Sequence, residues 1–167
     1  MPKAFTISLF ALLATPSCVG SNLASETTDT QLSPQATSSA ALADVLQVSV
    51  TGVEGAYTFA VTLQSPDTGC TQYADWWEVL SPDGVLKYRR VLAHSHVDEQ
   101  PFTRSGGPVI ISETDTVIIR GHMNTVGYGG GALRGSVSGG FSVDSSVDAS
   151  FAGGLAVEAP LPSSCAF

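Results

Sequence analysis

The stretch "YADWWEVLSPDGVLKYRRVLA", residues 73–93, decides the fold, because it contains two strand patterns and the turn that joins them. Segments 73–80 and 85–93 are rich in β-branched and aromatic residues, which favour strands. Between them lies "SPDG", in which Pro82 suits the first central position of a turn and Gly84 suits a position with positive φ. The sequence therefore predicts an antiparallel hairpin over residues 73–93.

Short segments with the same character lie on both sides of this hairpin. They are "DVLQVSVTG" (44–52), "AYTFAVTLQS" (56–65), "GPVIISE" (107–113), "DTVIIRGHM" (115–123) and one last strand within "ALRGSVSGGFS" (132–142). No segment keeps a helical period for three turns, and turn residues separate the segments at short intervals. The pattern predicts an all-β fold, a single immunoglobulin-like antiparallel β-sandwich at 44–142.

The two ends of the chain differ from this central part in composition. Residues 1–21 have a basic Lys3 and an apolar run too short to span a bilayer, which predicts a signal peptide. Two cleavage sites remain open: one before Cys18 with lipidation of that cysteine, and an ordinary one near Ser21. Residues 22–43 read as a disordered linker, and 143–167 as a loose Gly/Ser/Ala-rich tail held by Cys165. We therefore expect an exported protein of the bacterial cell envelope, in the periplasm or on the outer surface.

The net charge narrows the range of binding partners, and the cysteine content predicts a disulfide. The 167-residue chain has 7 basic and 15 acidic residues, a formal net charge of −8, which argues against nucleic acid and against electrostatic docking on anionic lipid. Membrane contact is expected only through an N-terminal lipid anchor. If Cys18 is lipidated or removed, Cys70 and Cys165 remain, and an oxidising compartment would pair them. The alternative is two free thiols.

Three motifs resemble those of an uncharacterised family of exported bacterial proteins. They are "YADWWEV" (73–79), "HSHVDEQPFTRSGG" (94–107) and "GHM" (121–123), the last followed by "GYGG" (127–130). The resemblance runs from about Tyr57 to Gly130. It implies export, and it implies no activity, ligand or cofactor. The immunoglobulin-type layout, with a tryptophan on the third strand, is a likeness of fold alone.

The histidines are the candidate metal ligands. On a strand, His94 and His96 point the same way, roughly 6.5–7 Å apart, which suits two imidazoles that bind one ion. His122 is expected on the outer face beside Arg120. If strand 73–80 pairs with both 85–93 and 116–123, the three histidines meet at one rim with Asp75. Together with Glu99 as the other candidate fourth ligand, they predict a zinc or copper site.

Several features favour a purely structural role for the histidines and Glu99. Histidines on the outer face of a sandwich commonly form ordinary hydrogen bonds, and Glu99 can pair with Arg104 within one polar loop. The spacing departs from cupins, because Glu99 follows His96 after two residues rather than three or four. The chain has three histidines, whereas copper–zinc superoxide dismutase needs six. No GxSxG nucleophile motif is present, and no catalytic residue is predicted.

The two tryptophans are expected on opposite faces of their strand. Strict alternation places Asp75 with Trp77 on one face and Trp76 with Glu78 on the other. One ring should lie in the core, and an exposed Trp76 is the candidate for stacking on a ligand. The first functional hypothesis is a non-catalytic binding or surface-interaction module. The alternative is a periplasmic or surface copper- or zinc-binding protein that uses the three-histidine rim, either as a carrier or as a mononuclear metalloenzyme.

Overall fold

Residues 41–166 are described by the computed structural model, and they form a sandwich of two antiparallel sheets. The strands are β1 Asp44–Thr51, β2 Tyr57–Gln64, β3 Ala74–Leu80, β4 Leu86–Val91, β5 Phe102–Val109, β6 Val117–Met123, β7 Leu133–Ser136 and β8 Gly140–Val143. One sheet has the order β1-β2-β5 and the other has the order β4-β3-β6-β7-β8. The predicted all-β sandwich is confirmed.

The hairpin predicted at residues 73–93 forms one side of the larger sheet, with β4 as the edge strand. β3 pairs antiparallel with β4 on one side and with β6 on the other, as expected. The turn closes through a hydrogen bond from the Gly84 N–H to the Ser81 carbonyl, and Gly84 has a φ of 84°. Glycine adopts this left-handed conformation without a steric penalty, so the turn residues explain the pairing.

The main core lies between the two sheets. β2 alternates strictly, so that its inward side chains, Phe59, Val61 and Leu63, are all completely buried. From the larger sheet, Trp77 and Ile119 are equally buried against them. Trp77 is therefore the tryptophan of the main core, which confirms the expectation that one ring of the pair lies inside.

Two strand predictions are wrong in position or number. The strand expected at 107–113 is instead β5, which pairs residues 102–109 with β2 and reaches its last pair at Val109 opposite Tyr57. The strand ends at Val109, one residue after Pro108, which has no N–H to donate to the ladder. The single strand expected at 132–142 is a hairpin of β7 and β8, because Gly140 has a φ of 75° and the chain turns back.

The segment after β8, residues 144–166, packs against the outer face of the larger sheet. Val147 and Leu155 are buried there, and residues Gly153–Val157 form a 3-10 helix. The expectation of a loose tail is wrong for these residues, because their apolar side chains belong to a second hydrophobic core on the outer face of the larger sheet. The disulfide Cys70–Cys165 is present, which confirms the predicted pairing and fastens the end of this segment to the sandwich. We call residues 144–166 the covering segment.

Candidate functional site

A β-bulge in β3 brings Asp75 to His122. Ala74 lies opposite Met123, but the next pair is Trp76 with His122, so Asp75 is an extra residue on β3. A bulge of this kind turns one side chain out of the regular alternation. The Asp75 carboxylate oxygen lies 2.6 Å from His122 Nδ1, on the outer face. The predicted grouping of Asp75 with Trp77 is therefore wrong, and His122 lies on the outer face as expected.

Aromatic and cationic groups hold the His122 ring in place. The Trp76 ring stacks on it with centroids 3.7 Å apart and an angle of 9° between the planes. The Tyr128 ring meets it edge-on at 4.6 Å, and burial raises the pKa of that tyrosine to about 12, with Glu78 as a second cause. The Arg89 guanidinium lies 4.4 Å above Trp76. Trp76 is only 2% exposed, so the expectation of an exposed Trp76 for ligand stacking is wrong.

An open pocket of about 500 Å³ lies over the Asp75–His122 pair. The sheet provides its floor, with Tyr73 and Asn124 beside the pair. The covering segment provides the opposite side, through Leu161, Pro162, Ser163 and Ser164. Both cysteines of the disulfide also line it. The pocket is thus formed jointly by the sheet and by the segment that the disulfide fastens.

His94 and His96 lie in the loop after β4 and do not line this pocket. Their ring centroids are 4.5 Å apart, and the His96 ring stacks on Phe102 at 3.8 Å. His94 is exposed, whereas His96 is 2% exposed and neither of its ring nitrogens has a hydrogen-bond partner among the described residues. Burial is the main cause, and the nearby charge of Arg104 the second, that lowers the pKa of His96 to about 4. His96 is therefore a neutral core histidine at physiological pH.

Asp67 is a buried residue that the sequence reasoning missed. Its carboxylate accepts hydrogen bonds from the Ser65 hydroxyl, the Ala74 N–H and the His96 N–H, at 2.7, 3.0 and 2.8 Å. It therefore joins the loop before β3 to the loop after β4. The Ser-Pro-Asp spacing, 65–67, is a local signal for such a turn, since short polar side chains bond nearby backbone groups.

The predicted metal set does not assemble. His122 bonds Asp75, and Glu99 pairs with Arg104 at 2.5 Å, as the alternative reading anticipated. No group of three or more His, Cys, Asp or Glu residues within 41–166 is arranged to hold a metal ion. The three-histidine rim was inferred from strand ends, but His94 and His96 lie beyond the end of β4, where strand geometry no longer applies.

A buried ionic triad beneath the covering segment also escaped the sequence reasoning. Glu78 is completely buried and accepts hydrogen bonds from Arg89 at 2.7 and 2.9 Å and from Arg120 at 2.8 Å. Both arginines lie directly opposite Glu78 on the neighbouring strands. Their remaining donors bond carbonyls of the covering segment, those of Phe151, Ala152, Leu155, Glu158 and Pro160. The predicted hairpin placed Arg89 on the strand that neighbours Glu78, but it did not predict the register that pairs them.

A protein of Halomicrobium mukohataei named "Putative lipoprotein" is 42% identical to this chain over 92 residues. The match covers 54% of this chain and 45% of that protein, so the chain spans less than half of the relative's length. The similarity shows no catalytic or binding function. No protein-family model matches the chain, and no solved structure matches it significantly. Within residues 41–166, no helix is long and apolar enough to cross a membrane.

Proposed function

We propose that the protein is a lipid-anchored, non-catalytic binding module of the cell envelope, with its ligand site in the pocket over Asp75 and His122. The similarity to a protein named as a lipoprotein supports the anchor, and so does Cys18 after an apolar leader. Cys18 lies outside the described residues, so the anchor rests on sequence alone. Replacing it tests the anchor: Cys18→Ser should move the protein from the membrane fraction to the soluble fraction and abolish incorporation of labelled fatty acid. An unchanged distribution would show that the protein is not lipid-anchored.

The observation that carries the binding proposal is the Asp75–His122 pair at the base of an open pocket. A carboxylate only accepts hydrogen bonds, so a neutral His122 ring would donate to Asp75 through Nδ1 and could accept a hydrogen bond through Nε2. The flat stack with Trp76 fixes the plane of the ring. A small ligand with an O–H or N–H donor can therefore bond Nε2 in a fixed direction.

The surroundings of the pair favour binding over nucleophilic catalysis. Within the described part of the chain, Asp75 is the side chain that hydrogen-bonds His122, and no serine or cysteine side chain does so. Nucleophilic catalysis needs a hydroxyl or thiol in hydrogen-bond reach of the base. The Ser163 and Ser164 hydroxyls on the rim are instead available as donors and acceptors for a polar ligand.

Nuclear magnetic resonance of the histidine ring protons tests this site. The probes are small neutral amides and polyols, added singly at millimolar concentration. We expect at least one to shift the His122 resonance saturably, and His122→Gln to abolish its binding. His94→Gln is the matched control, because His94 is exposed outside the pocket and its loss should leave binding unchanged. If no probe moves the His122 resonance, the pocket is not a site for small neutral ligands.

A further inference from the structure

One wall of the pocket over Asp75 and His122 belongs to the end of the covering segment. Residues 161–165 line the pocket from the side opposite the sheet, and we call them the strap. Cys165 is the last residue of the strap, and its disulfide partner, Cys70, lines the same pocket. The crosslink between the strap and the sandwich is therefore part of the pocket itself.

The strap has few attachments besides the disulfide. Just before it begins, Arg89 donates a hydrogen bond to the Pro160 carbonyl at 3.1 Å. Just after it ends, Ala166 forms an isolated β-bridge with His94. Within the described part of the chain, residues 161–164 form no hydrogen bond. Without the disulfide, the isolated bridge would hold the far end of the strap, and such a bridge opens more easily than a strand within a ladder.

Cys70, by contrast, lies in a turn that the sandwich holds independently of the disulfide. Gly69 and Gln72 form an isolated bridge across this turn. The Asn124 side-chain amide donates to the Cys70 carbonyl at 3.2 Å, and its oxygen accepts from the Tyr73 N–H at 3.0 Å. Cleavage of the disulfide would therefore leave Cys70 in place and release the strap.

We propose that the Cys70–Cys165 disulfide is a redox switch that sets the affinity of the pocket for its ligand. The proposal rests on the proposed function of the pocket, and it adds the regulation of that site. In the oxidised state the strap is fixed, so a ligand does not have to order it on binding. In the reduced state the wall is in place for only a fraction of the time, and the apparent affinity falls by that fraction.

The switch requires a dithiol as reductant. A thiolate of the dithiol attacks one sulfur of the disulfide, and its second thiol then breaks the mixed disulfide that results. The reductant leaves as its own disulfide, and its two electrons and two protons end on Cys70 and Cys165 as two thiols. Both cysteines are half-buried and line the pocket, so the attacking thiolate has a route to the sulfur atoms.

Titration of the purified protein in both redox states tests the switch. The probe is an amide or polyol that shifts the His122 resonance of the oxidised protein. In excess dithiothreitol its Kd should rise about tenfold, as expected if the wall is in place roughly a tenth of the time. Reoxidation should restore the original Kd. The variant with Cys70→Ser and Cys165→Ser should bind like the reduced protein and should not respond to dithiothreitol.

A second measurement separates a switch from a disulfide that only stabilises the fold. Because the coupling between two sites is reciprocal, a saturating probe should make the disulfide harder to reduce by the same factor. A tenfold factor corresponds to about 30 mV for a two-electron couple. Equilibration in dithiothreitol redox buffers, with and without the probe, measures this shift. His122→Gln is the control, since the probe should not change its reduction potential.

The outcomes distinguish failure of the switch from failure of the pocket. Equal Kd values in the two redox states would overturn the switch and leave the proposed function of the pocket intact. If no probe shifts the His122 resonance of the oxidised protein, the proposed function fails and the switch fails with it. If circular dichroism shows that the reduced protein and the double variant are both unfolded, the disulfide serves the whole fold and the switch is also overturned.

Discussion

The two outer faces of the sandwich differ in their polar side chains and in the hydrogen-bond partners of those side chains. On the five-stranded sheet, Glu78, Arg89 and Arg120 are buried, and carbonyls of the covering segment accept their remaining hydrogen bonds. On the three-stranded sheet, the outward residues of the described strands carry uncharged hydroxyl groups, and we call them the hydroxyl face: Ser49, Thr51, Thr58, Thr62, Thr103 and Ser105. The chain thus buries charge where its own backbone accepts the remaining hydrogen bonds, and the hydroxyl face carries no charge.

This difference has an energetic consequence for the two sheets. A buried charge that loses a partner costs several kilocalories per mole, because the remaining charge is left without hydration. A hydroxyl that is already hydrated costs little to remove, since water replaces the lost contact. Substitutions beneath the covering segment should therefore lower stability, whereas those on the hydroxyl face should have little effect on it.

The largest expected effect comes from Glu78→Gln. The substitution leaves two buried guanidinium groups without their carboxylate, so we expect a loss of about 3–5 kcal/mol in the free energy of unfolding. Urea denaturation followed by tryptophan fluorescence measures it. Glu99→Gln is the control, because its ion pair with Arg104 is exposed and should contribute at most about 1 kcal/mol. Equal losses in the two variants would show that the buried triad contributes no more to stability than the exposed ion pair.

Removing the disulfide tests the covering segment as a whole. Cys70→Ser with Cys165→Ser should cost about 2–5 kcal/mol, since the unfolded chain regains the freedom of a long loop. Hydrogen exchange then shows where stability is lost. We expect faster exchange in residues 144–166 than in β2. Uniform acceleration across both sheets would mean that the covering segment does not open separately from the sandwich.

The hairpin at residues 73–93 could be predicted from sequence because its signals are local. Pro82 and Gly84 define the turn, and the composition of the flanking segments defines the strands. The partner strand β6 followed from its apolar pattern, and Cys70 and Cys165 followed from the export signal. Glu99 and Arg104 lie close enough in sequence for their pairing to be anticipated as an alternative.

The site could be predicted only in part, because it depends on interruptions of regular geometry. The bulge at Asp75 changes the face of one residue, and no turn or charge signal marks it. His94 and His96 follow the end of β4, so strand parity does not govern their direction. The burial of Trp76 depends on Val147 and Leu155, whose glycine- and serine-rich surroundings do not show a strand or helix period. Contacts between residues far apart in the sequence determine these three features.

Protonation of His96, in the loop that connects β4 to β5, should lower the stability of the folded state as the pH falls. Its pKa in the folded state is about 4, below the usual 6.5, so the unfolded chain takes up this proton first as the pH falls. The folded state therefore loses about 1–3 kcal/mol between pH 6.5 and pH 4. His96→Gln should flatten the urea-denaturation profile over this interval. The control His94→Gln should retain the wild-type slope, and a flattened slope in that variant as well would assign the effect elsewhere.

The smallest expected effect lies on the hydroxyl face, where Thr62→Ala removes one exposed hydroxyl. Water hydrates the hydroxyl of its neighbour Thr103 once the partner is gone, so the free energy of unfolding should change by about 0.5 kcal/mol or less. A stability loss above about 2 kcal/mol would show that the two faces are equally important for folding. That result would remove the contrast between a covered face that stabilises the sandwich and a hydroxyl face that contributes little to its stability.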